Sequence, residues 1–245
     1  MLPPHLQAAF RAEFFRFGQL HDGALNTIEG IWERRERAYA IDESTGLSTR
    51  RPFLDHLTTL LHLQQPTGPV AVGVLFIDVD NLKQINDSCG HQVGDRALAA
   101  IGAIVREAMR VERGVDMVVR AHDDTHAVGR HGGDEFVAAL RLADPAEIEH
   151  VAPRIKRCAD DPERQRAHGY AGPVDLTVSM GGIAYESAQA IPQVAPNSIA
   201  TALLAAADAL MYKAKRDRFV HVARARFTDR LEVFSNLRIP AVASG

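Results

Sequence analysis

The sequence has few of the features that mark secreted, zinc-binding or membrane-spanning proteins. Its 245 residues include two cysteines, Cys89 and Cys158, in no Cys-x-x-Cys or Cys/His arrangement, which argues against a disulfide framework and a zinc site. No apolar run approaches the roughly 18 residues of a membrane span. The start lacks a basic region followed by an apolar core, so no signal peptide is predicted. These absences predict a soluble cytoplasmic protein.

The sequence also lacks an excess of positive charge. It has 28 Lys and Arg residues against 31 Asp and Glu, a formal net charge of -3. A general nucleic-acid-binding protein needs a basic surface to neutralise many phosphates, so the net charge argues against this class. The composition, with 46% hydrophobic and 24% charged residues, is ordinary for a globular protein. The length fits one sizeable domain with an appendage, or two small domains.

Residues 5–41 differ from the rest of the chain in the spacing of their apolar side chains and are predicted to be helical. Apolar or small side chains recur there at alternating spacings of four and three residues, the pattern of a coiled-coil or helix-pair seam. They are Phe10, Phe14, Phe17, Ala24, Ile28, Ile31 and Ala38. Gly18, Gly23 and Gly30 permit a helical hairpin in place of one long helix. Two interpretations stay open, since the stripe can dock on the domain behind it or pair two protomers.

Beyond a polar, turn-rich junction at 42–48, predicted helices alternate with predicted strands. The helices cover about 50–63, 95–109, 145–166 and 198–215, and the strands cover about 70–77, 175–180 and 219–223, with two more around Gly132 and Gly133. Short apolar runs with β-branched residues indicate buried strands. The alternation predicts an α/β fold with one central sheet flanked by helices. For the tail, 224–245, a short helix that packs back is the expectation.

The segment 130–136, Arg-His-Gly-Gly-Asp-Glu-Phe, is the most informative stretch of the chain for function. Its two glycines permit a tight turn and close approach of a ligand to the backbone, because neither has a Cβ. Asp134 and Glu135 follow at once, so the turn suits a site for a divalent metal and phosphate. Gly-Gly-Asp also fits an ordinary hairpin turn, and the motif alone does not separate the two.

A second acidic segment, Asp78-Val79-Asp80, follows the predicted strand 70–77. Carboxylates at the end of a buried strand are costly to desolvate unless they are paired or hold a cation. Mg²⁺ binds oxygen ligands, typically one or two carboxylates with phosphate oxygens and water. We therefore expect Asp78 and Asp134 to share a metal site if their strands are neighbours. A helix cap or a turn is the alternative for Asp78.

Five ordered blocks across about residues 42–222 resemble the GGDEF family, the diguanylate cyclase domain. The blocks are 42–51, 76–87 with 90–95, 132–136, 177–181 and 207–215. The first matches the family's Asp-x-Leu-Thr-Gly-Leu-x-Asn-Arg-Arg except at Ser44 and Thr49, and the third is the name motif, intact. The resemblance implies a nucleotidyl-cyclase, palm-like sheet of ferredoxin-like derivation flanked by helices. It implies three regions: an N-terminal helical segment at 1–41, the cyclase domain at 42–223 and a C-terminal extension at 224–245.

The resemblance also implies an activity. Family members are bacterial signalling nucleotidyltransferases that condense two GTP molecules into cyclic di-3′,5′-GMP with loss of two pyrophosphates. Each domain binds one GTP, so the active species is a homodimer, here expected to form through the N-terminal helices. Mg²⁺ or Mn²⁺ is the implied cofactor, with two ions per half-site. Because 1–41 is short for a sensor domain, we expect control by an unidentified regulatory protein, by self-association or by the helices themselves.

The family's metal site maps onto matching residues of this chain. The implied metal ligands are Asp78, Val79 through its carbonyl, Asp134 and Glu135. Glu135 either binds the metal or helps to deprotonate the 3′-hydroxyl, and the resemblance does not separate these roles. Gly132 and Gly133 let the nucleotide approach the backbone.

The family's substrate site maps in the same way. The implied GTP-binding residues are Lys83, Asn86, Asp95, Leu98, Lys215 and Arg218. Asn86 and Asp95 resemble the pair that reads guanine, since an Asp accepts from its N1–H and N2–H₂ donors and adenine offers no matching pair. Asp95 would also suit the N-cap of the helix predicted over 95–109. Lys83 and Lys215 are expected to meet phosphates.

The chain departs from the family pattern at two places. The usual ending is Ala-Lys-x-x-Gly-Arg-Asn, whereas the chain after Lys215 lacks the glycine and is interpreted as one residue shorter. Three interpretations stay open for this ending. Arg218 binds the γ-phosphate, or Arg216 binds it in place of Arg218, or both side chains are solvated and stabilise the end of the helix. Many members also carry an Arg-x-x-Asp product-binding site before the Gly-Gly motif. In this chain Arg113 and Asp116 match that pattern farther upstream. They form either an inhibitory product-binding site or part of a charged loop without that function.

Two other functions compete with an active cyclase. The first is a catalytically silent GGDEF module that binds GTP or cyclic di-GMP and signals by protein contact. Such modules usually lose an acidic residue from the motif, but Asp78, Asp134 and Glu135 are all present. The second is a one-substrate purine nucleotide cyclase, which the set of motifs disfavours.

Overall fold

The structure is a computed structural model that describes residues 40–62, 71–111, 128–186, 195–227 and 231–240. The predicted N-terminal helices and the pair Arg113 and Asp116 lie outside the described residues. The elements after Ile41 belong to one compact unit, Asp42–Gly245.

Helices and strands alternate along the described chain. In order they are β1 (Ser48–Thr49), α1 (Arg50–His62), β2 (Ala71–Val79), α2 (Leu82–Cys89), α3 (His91–Val111), β3 (Val128–Gly132), β4 (Glu135–Leu142), a 3₁₀ turn (Pro145–Glu147), α4 (Ile148–Ala159), α5 (Pro162–Ala167), β5 (Val178–Glu186), α6 (Pro196–Asp217), β6 (Phe219–Phe227) and β7 (Leu231–Pro240). Within the described ranges, no helix has both the length and the apolar character needed to cross a membrane.

The strands form one mixed sheet in the order β1-β3-β4-β2-β5-β6-β7. β2 lies between β4 and β5 and runs antiparallel to both, whereas β5 and β6 are parallel and β7 returns antiparallel to β6. All nine residues of β2 are buried, as its apolar composition predicts for a central strand. The predicted α/β fold with a central sheet flanked by helices is confirmed.

The side chains of β2 divide between two cores, one on each face of the sheet. Ile77 and Val79 pack with residues of α2, α3 and α4, whereas Val74 and Phe76 pack with residues of α1 and α6. Side chains alternate along a strand, so Asp78 emerges on the face covered by α6. This face is where the candidate site forms.

Two predicted helix boundaries are wrong, each for a local reason. The helix predicted over 145–166 is divided, because Asp161 accepts a hydrogen bond from Glu163 N–H (2.9 Å) and Pro162 begins a new helix at its first position. The helix predicted from Asp95 begins instead at His91, after Gly90 with φ +83° ends α2. Asp95 therefore lies inside α3, and its predicted N-cap role is wrong.

Two predicted strand boundaries are also wrong. β5 does not stop at Gly181 and Gly182 but continues to Glu186, paired on both sides. In the tail, Leu231–Pro240 forms β7 and not a short helix. β6 would otherwise end the sheet with an unpaired row of backbone N–H and C=O groups, and β7 satisfies them.

Candidate active site

The Gly-Gly turn joins β3 to β4, the hairpin that the sequence predicts. Gly133 has φ +50°, a left-handed conformation that favours glycine. A Cβ placed on Gly132 or Gly133 would have no heavy atom within 4 Å, so the turn faces open space. A ligand can therefore approach this stretch of backbone closely.

β2 brings the second acidic segment beside this turn. Asp78 pairs in register with Glu135 of β4, and Val79 N–H donates to the Asp134 carbonyl at 3.0 Å. The condition set for a shared metal site, that the strands leading to Asp78 and Asp134 are neighbours, is met. The backbone geometry places three carboxyl groups around the end of one strand pair.

Asp78 is the most buried carboxylate of this group, with 3% of its surface exposed. Its Oδ2 accepts from the Lys215 ammonium at 2.7 Å, while its Oδ1 is buried and has no hydrogen-bond partner within the described part of the chain. Burial and, to a smaller extent, the negative charge of Asp134 together raise the pKa of Asp78 to about 6 against the opposing hydrogen bond from Lys215. The Oδ1 atom of Asp78 is therefore available to bind a cation or to accept a hydrogen bond from a ligand.

Lys215 reaches Asp78 because α6 packs very closely on β5. A Cβ on Gly181 would overlap the backbone of Met211 and Ala207, so only glycine permits this approach. Partial burial acts to lower the pKa of Lys215, but the hydrogen bond to Asp78 and the nearby carboxylates outweigh it and raise that pKa. Lys215 is 38% exposed, so its charge can also meet a ligand from solvent.

Glu135 and Asp134 are half-buried beside Asp78. Burial raises the pKa of Glu135, and the charges of Asp134 and Asp208 add to this effect. Among the described residues, no three acidic, histidine or cysteine side chains already converge as a complete metal cage. The site is a set of neighbouring carboxylates with one cation among them.

Asp80, the last residue of the second acidic segment, lies at this site in a role that was not predicted from the sequence. Thr177 Oγ1 donates to it at 2.8 Å and Ser179 Oγ at 2.7 Å, and Asp80 N–H donates to the Thr177 carbonyl at 2.9 Å. The Arg218 guanidinium lies 3.6 Å from Asp80 Oδ2. The block 177–181 therefore fixes Asp80, and Asp80 holds Arg218 near the site.

The end of α6 corrects the sequence interpretation of a shortened ending. Arg218 has φ +64° and its N–H donates to the Ala214 carbonyl at 2.8 Å, which is the helix cap normally made by glycine. Counting from Ala214, Arg218 occupies the position of the pattern's glycine, and Phe219 occupies the position of its arginine. No residue is missing, and the expectation of a one-residue deletion is wrong.

The residues predicted to read guanine lie at the α2–α3 junction. A Cβ on Gly94 would overlap Asn86 Oδ1, so Asn86 rests against the first turn of α3, where Asp95 is exposed. Lys83 lines an open cavity along α2 with Gln84 and Asp87. Leu98 is 4% exposed and belongs to the core.

Arg130 fixes the Gly-Gly turn from behind, a role that the sequence did not predict. Its Nε and Nη2 donate to the Gly133 carbonyl at 3.0 and 2.7 Å, and its Nη1 donates to both oxygens of Asp42 at 3.1 Å. Asp42 also accepts from Ser44 Oγ and from the N–H and Oγ1 of Thr45 at 2.8 to 2.9 Å. These donors outweigh the effect of burial and lower the pKa of Asp42.

Lys156 and Asp160 of α4 support the other side of the site. The Lys156 ammonium donates to Asp160 Oδ2 at 2.7 Å and to the Val178 carbonyl, while Asp160 Oδ1 accepts from Val178 N–H at 2.9 Å. Val178 lies between Thr177 and Ser179, the two residues that hold Asp80. Buried Lys156 and half-buried Asp160 thus anchor the start of β5.

Comparisons with known proteins point to one family. A family model for the diguanylate cyclase GGDEF domain matches residues 39–220. The diguanylate cyclase DgcP of Escherichia coli K12 is 30% identical over 178 residues, 72% of this chain and 45% of that protein. The response regulator PleD of Caulobacter vibrioides is 31% identical over 174 residues, 71% of this chain and 33% of that protein. The chain therefore matches less than half the length of each of these relatives.

A solved structure gives the same result for the fold. The GGDEF domain of TpbB, also called YfiN, from Pseudomonas aeruginosa aligns with a TM-score of 0.51 and 31% sequence identity. The alignment covers 71% of this chain and 92% of that domain.

Proposed function

Because the chain belongs to the family of the diguanylate cyclase GGDEF domain, we propose that it condenses two GTP molecules into cyclic di-GMP with release of two pyrophosphates. The observation that carries the proposal is the Asp78 carboxylate, which is buried beside the open Gly-Gly turn with one oxygen on Lys215 and the other unpaired within the described residues. Burying such a group destabilises the fold, so a binding role accounts for it better than a structural role.

The residues present suit a divalent ion. The buried Oδ1 of Asp78 lacks a partner in the described structure, and Asp134 and Glu135 add negative charge beside it. Asp78, Asp134, Glu135 and the Val79 carbonyl would hold Mg²⁺ or Mn²⁺ together with phosphate oxygens. When bound, one or two such ions stabilise the attacking and leaving oxygens of phosphoryl transfer. Because the phosphates supply ligands too, a complete protein cage is not required.

The protein groups around this centre have separate tasks. Gly132 and Gly133 allow the phosphates to approach the backbone, and the Lys215 ammonium is placed to bind a phosphate oxygen once Asp78 is neutralised by another cation. Glu135, whose pKa is raised by burial and by its acidic neighbours, is positioned to bind metal or to accept the proton of the 3′-hydroxyl. Most of the rate enhancement would then come from positioning and charge stabilisation.

Guanine recognition is proposed at the α2–α3 junction. Asn86 rests on Gly94, and Asp95 is exposed one helical position further on. A carboxylate acceptor there pairs with the N1–H and N2–H₂ donors of guanine and leaves adenine without a matching edge. We therefore expect GTP to be preferred over ATP.

Two domains are needed for the reaction. One domain holds one GTP, and the 3′-hydroxyl of that GTP must attack the α-phosphate of a GTP on a second domain. We propose that the active species is a homodimer joined through the segment 1–41, with control through that segment or through a regulatory protein that binds it.

The test is cyclic di-GMP formation by the purified chain from GTP and Mg²⁺ over a range of protein concentrations. Wild type is expected to form product with a specific activity that rises with concentration, because dimers form. Asp134→Asn keeps the volume of the side chain but removes its charge, and is expected to lower the rate at least about 100-fold.

The outcome that would reject a cyclase is absence of product from wild type at all concentrations. If GTP or cyclic di-GMP still binds under those conditions, the chain is a silent module that signals by contact. The uncharged Phe219 at the arginine position of the family's closing pattern is the observation that favours this second function.

A further inference from the structure

We propose that Arg238, in the C-terminal strand β7, binds the terminal phosphates of the nucleoside triphosphate. This inference rests on the proposed function and assigns a substrate role to a strand that lies beyond the matched family region, 39–220. It is carried by the position of Arg238 in the sheet, by the way its guanidinium is held, and by the cations beside it.

The strand register places Arg238 at the same end and on the same face of the sheet as Asp78. Phe76 pairs with Gly181, Gly181 with His221, and His221 with Arg238, which makes one row across four strands. Paired residues share a face of the sheet, and residues two apart along a strand share it as well. Asp78 therefore stands in the next row on the same face, toward the end of β2.

The Arg238 guanidinium is held in place but remains accessible. It lies over the Phe219 ring, 3.6 Å from the ring centroid, and its Nε is 3.2 Å from Asp217 Oδ2. The side chain is 53% exposed, and a guanidinium has further N–H donors for which these contacts do not account. A cation stacked on an aromatic ring loses less conformational freedom on binding an anion than a free side chain does.

Arg238 extends a line of cations along the α6 side of the site. Lys215 pairs with Asp78 and Arg218 with Asp80, and Arg238 pairs with Asp217, the last residue of α6. β7 is three strand positions from β2, about 14 Å at the usual spacing of neighbouring strands, and the arginine side chain shortens that gap. A polyphosphate that begins at Asp78 and runs toward β6 would pass these cations in turn.

Phe219, the first residue of β6, explains why Arg238 in particular is assigned this role. Phe219 stands where the family pattern has its arginine, so β6 itself offers no cation there. In this chain Phe219 is the platform on which Arg238 rests. We infer that β7 supplies from the neighbouring strand the charge that β6 lacks.

Steady-state kinetics of the full chain with GTP and Mg²⁺ test the role. Arg238→Ala is expected to raise KM for GTP about tenfold, the loss of one charge-assisted contact, with kcat within about twofold. Arg238→Lys should recover part of that loss. Asp217→Asn removes the ion pair but keeps the cation, so its KM for GTP should stay near the wild-type value or fall below it.

The hairpin offers a matched control at its other end. Arg226 lies over the Phe234 ring at 5.7 Å and pairs with Glu232 at 3.6 Å, in the same kinds of contact and with 55% exposure. Arg226→Ala should leave KM for GTP unchanged. If Arg238 only anchored β7, then Arg238→Ala and Asp217→Asn would lower stability alike and would not separate in KM, which would overturn the proposal.

The outcomes distinguish this proposal from the cyclase assignment. Product from wild type together with an unchanged KM in Arg238→Ala rejects the role of Arg238 alone. If wild type makes no product, calorimetric binding of GTP with Mg²⁺ decides, and weaker binding by Arg238→Ala supports the proposal while equal binding rejects it. Absence of GTP binding by wild type rejects both.

Discussion

Asp42 and Asp78 are both paired with a cationic side chain, yet they differ in the number of hydrogen bonds that they accept and in the pKa of the carboxyl group. Asp42 accepts hydrogen bonds from Ser44, Thr45 and Arg130, and the pKa of its carboxyl is lowered. Asp78 has Lys215 on one oxygen, no partner in the described residues on the other, and a pKa raised to about 6. The hydrogen-bond acceptors of Asp42 have partners within the fold, whereas Oδ1 of Asp78 has none among the described residues.

We interpret this difference as that between a structural carboxylate and, for Asp78, the proposed binding carboxylate. The donors around Asp42 tie the first block of the chain to the Gly-Gly turn, so the pair stabilises the arrangement that it belongs to. The fold gains little from ionised Asp78, because burial opposes the charge and a single contact offsets it. Groups that destabilise a fold in this way are concentrated at functional sites. Substitutions at the two carboxylates should therefore have opposite effects on stability.

The largest expected effect is that of Asp78→Asn. We expect product formation to fall at least about 100-fold, because an amide cannot replace the carboxylate charge. At pH 7 the same variant should be more stable than wild type by about 1–3 kcal/mol, since Lys215 is partly exposed and can be resolvated. Urea unfolding and cyclic di-GMP formation, measured on the same preparations, give the two results. A variant that is both inactive and less stable at pH 7 would count against the comparison.

The pH dependence of that stability difference has a definite sign. The pKa of Asp78 rises from its ordinary value of 3.8 to about 6 on folding, so the folded protein binds a proton that the unfolded chain releases. The ionised carboxylate thus lowers wild-type stability in full above pH 6, and this effect disappears as the pH falls below about 4. Unfolding at pH 7 and pH 4 should show the advantage of Asp78→Asn shrinking at the lower pH. An advantage of equal size at both values would contradict the assigned pKa.

A smaller loss is expected when the satisfied pair is broken. Arg130→Met removes the donors to Asp42 and to the Gly133 carbonyl and should destabilise the protein by about 2 kcal/mol. Because the Gly-Gly turn loses its support, we also expect a fall in activity of about tenfold. Arg141→Met, at an exposed position of β4, is the matched control and should change stability by less than about 0.5 kcal/mol. Equal stability of the two variants would mean that the Arg130 contacts are not maintained in solution.

The smallest expected effect concerns a carboxylate between these extremes. Asp80 accepts from both Thr177 and Ser179, so Thr177→Val leaves it one hydroxyl donor. We expect a loss of about 1 kcal/mol in stability and a change in activity of a few fold. Thr201→Val, which removes a hydroxyl that donates to a helix carbonyl on the exposed side of α6, controls for the substitution itself. A Thr177 variant indistinguishable from this control would show that Ser179 alone holds Asp80.

The sequence predicted the parts of the site that are local. Apolar runs and acidic ends predicted β2 and β4, but whether these strands are neighbours stayed open until the pairing of β2 with β4 was known. The contact between Arg130 and Asp42 joins residues 88 positions apart, and no local pattern connects them. The support of Val178 by Lys156 and Asp160 likewise depends on how α4 packs against β5.

The errors at the C-terminal end have a similar physical origin. Leu231, Val233, Phe234 and Leu237 fit a short helix as readily as a strand, and the open edge of β6 decides between them. The missing glycine indicates a deletion because glycine is usual at a left-handed helix cap, but Arg218 accepts that conformation here at some cost in strain. The strand state of the tail is settled only by its neighbour β6, and the match of Arg218 to the glycine position by the backbone conformation of the helix cap.

The most direct test of the central claim is the shift in thermal unfolding on addition of saturating GTP with Mg²⁺ to wild type and to Asp78→Asn. If the unsatisfied Asp78 carboxylate is a ligand for metal and substrate, the Tm of wild type should rise by about 5 °C or more. Asp78→Asn, although more stable alone, should show less than half of that rise. An equal rise in both proteins would contradict the account, because Asp78 would then be a buried charge without a binding role.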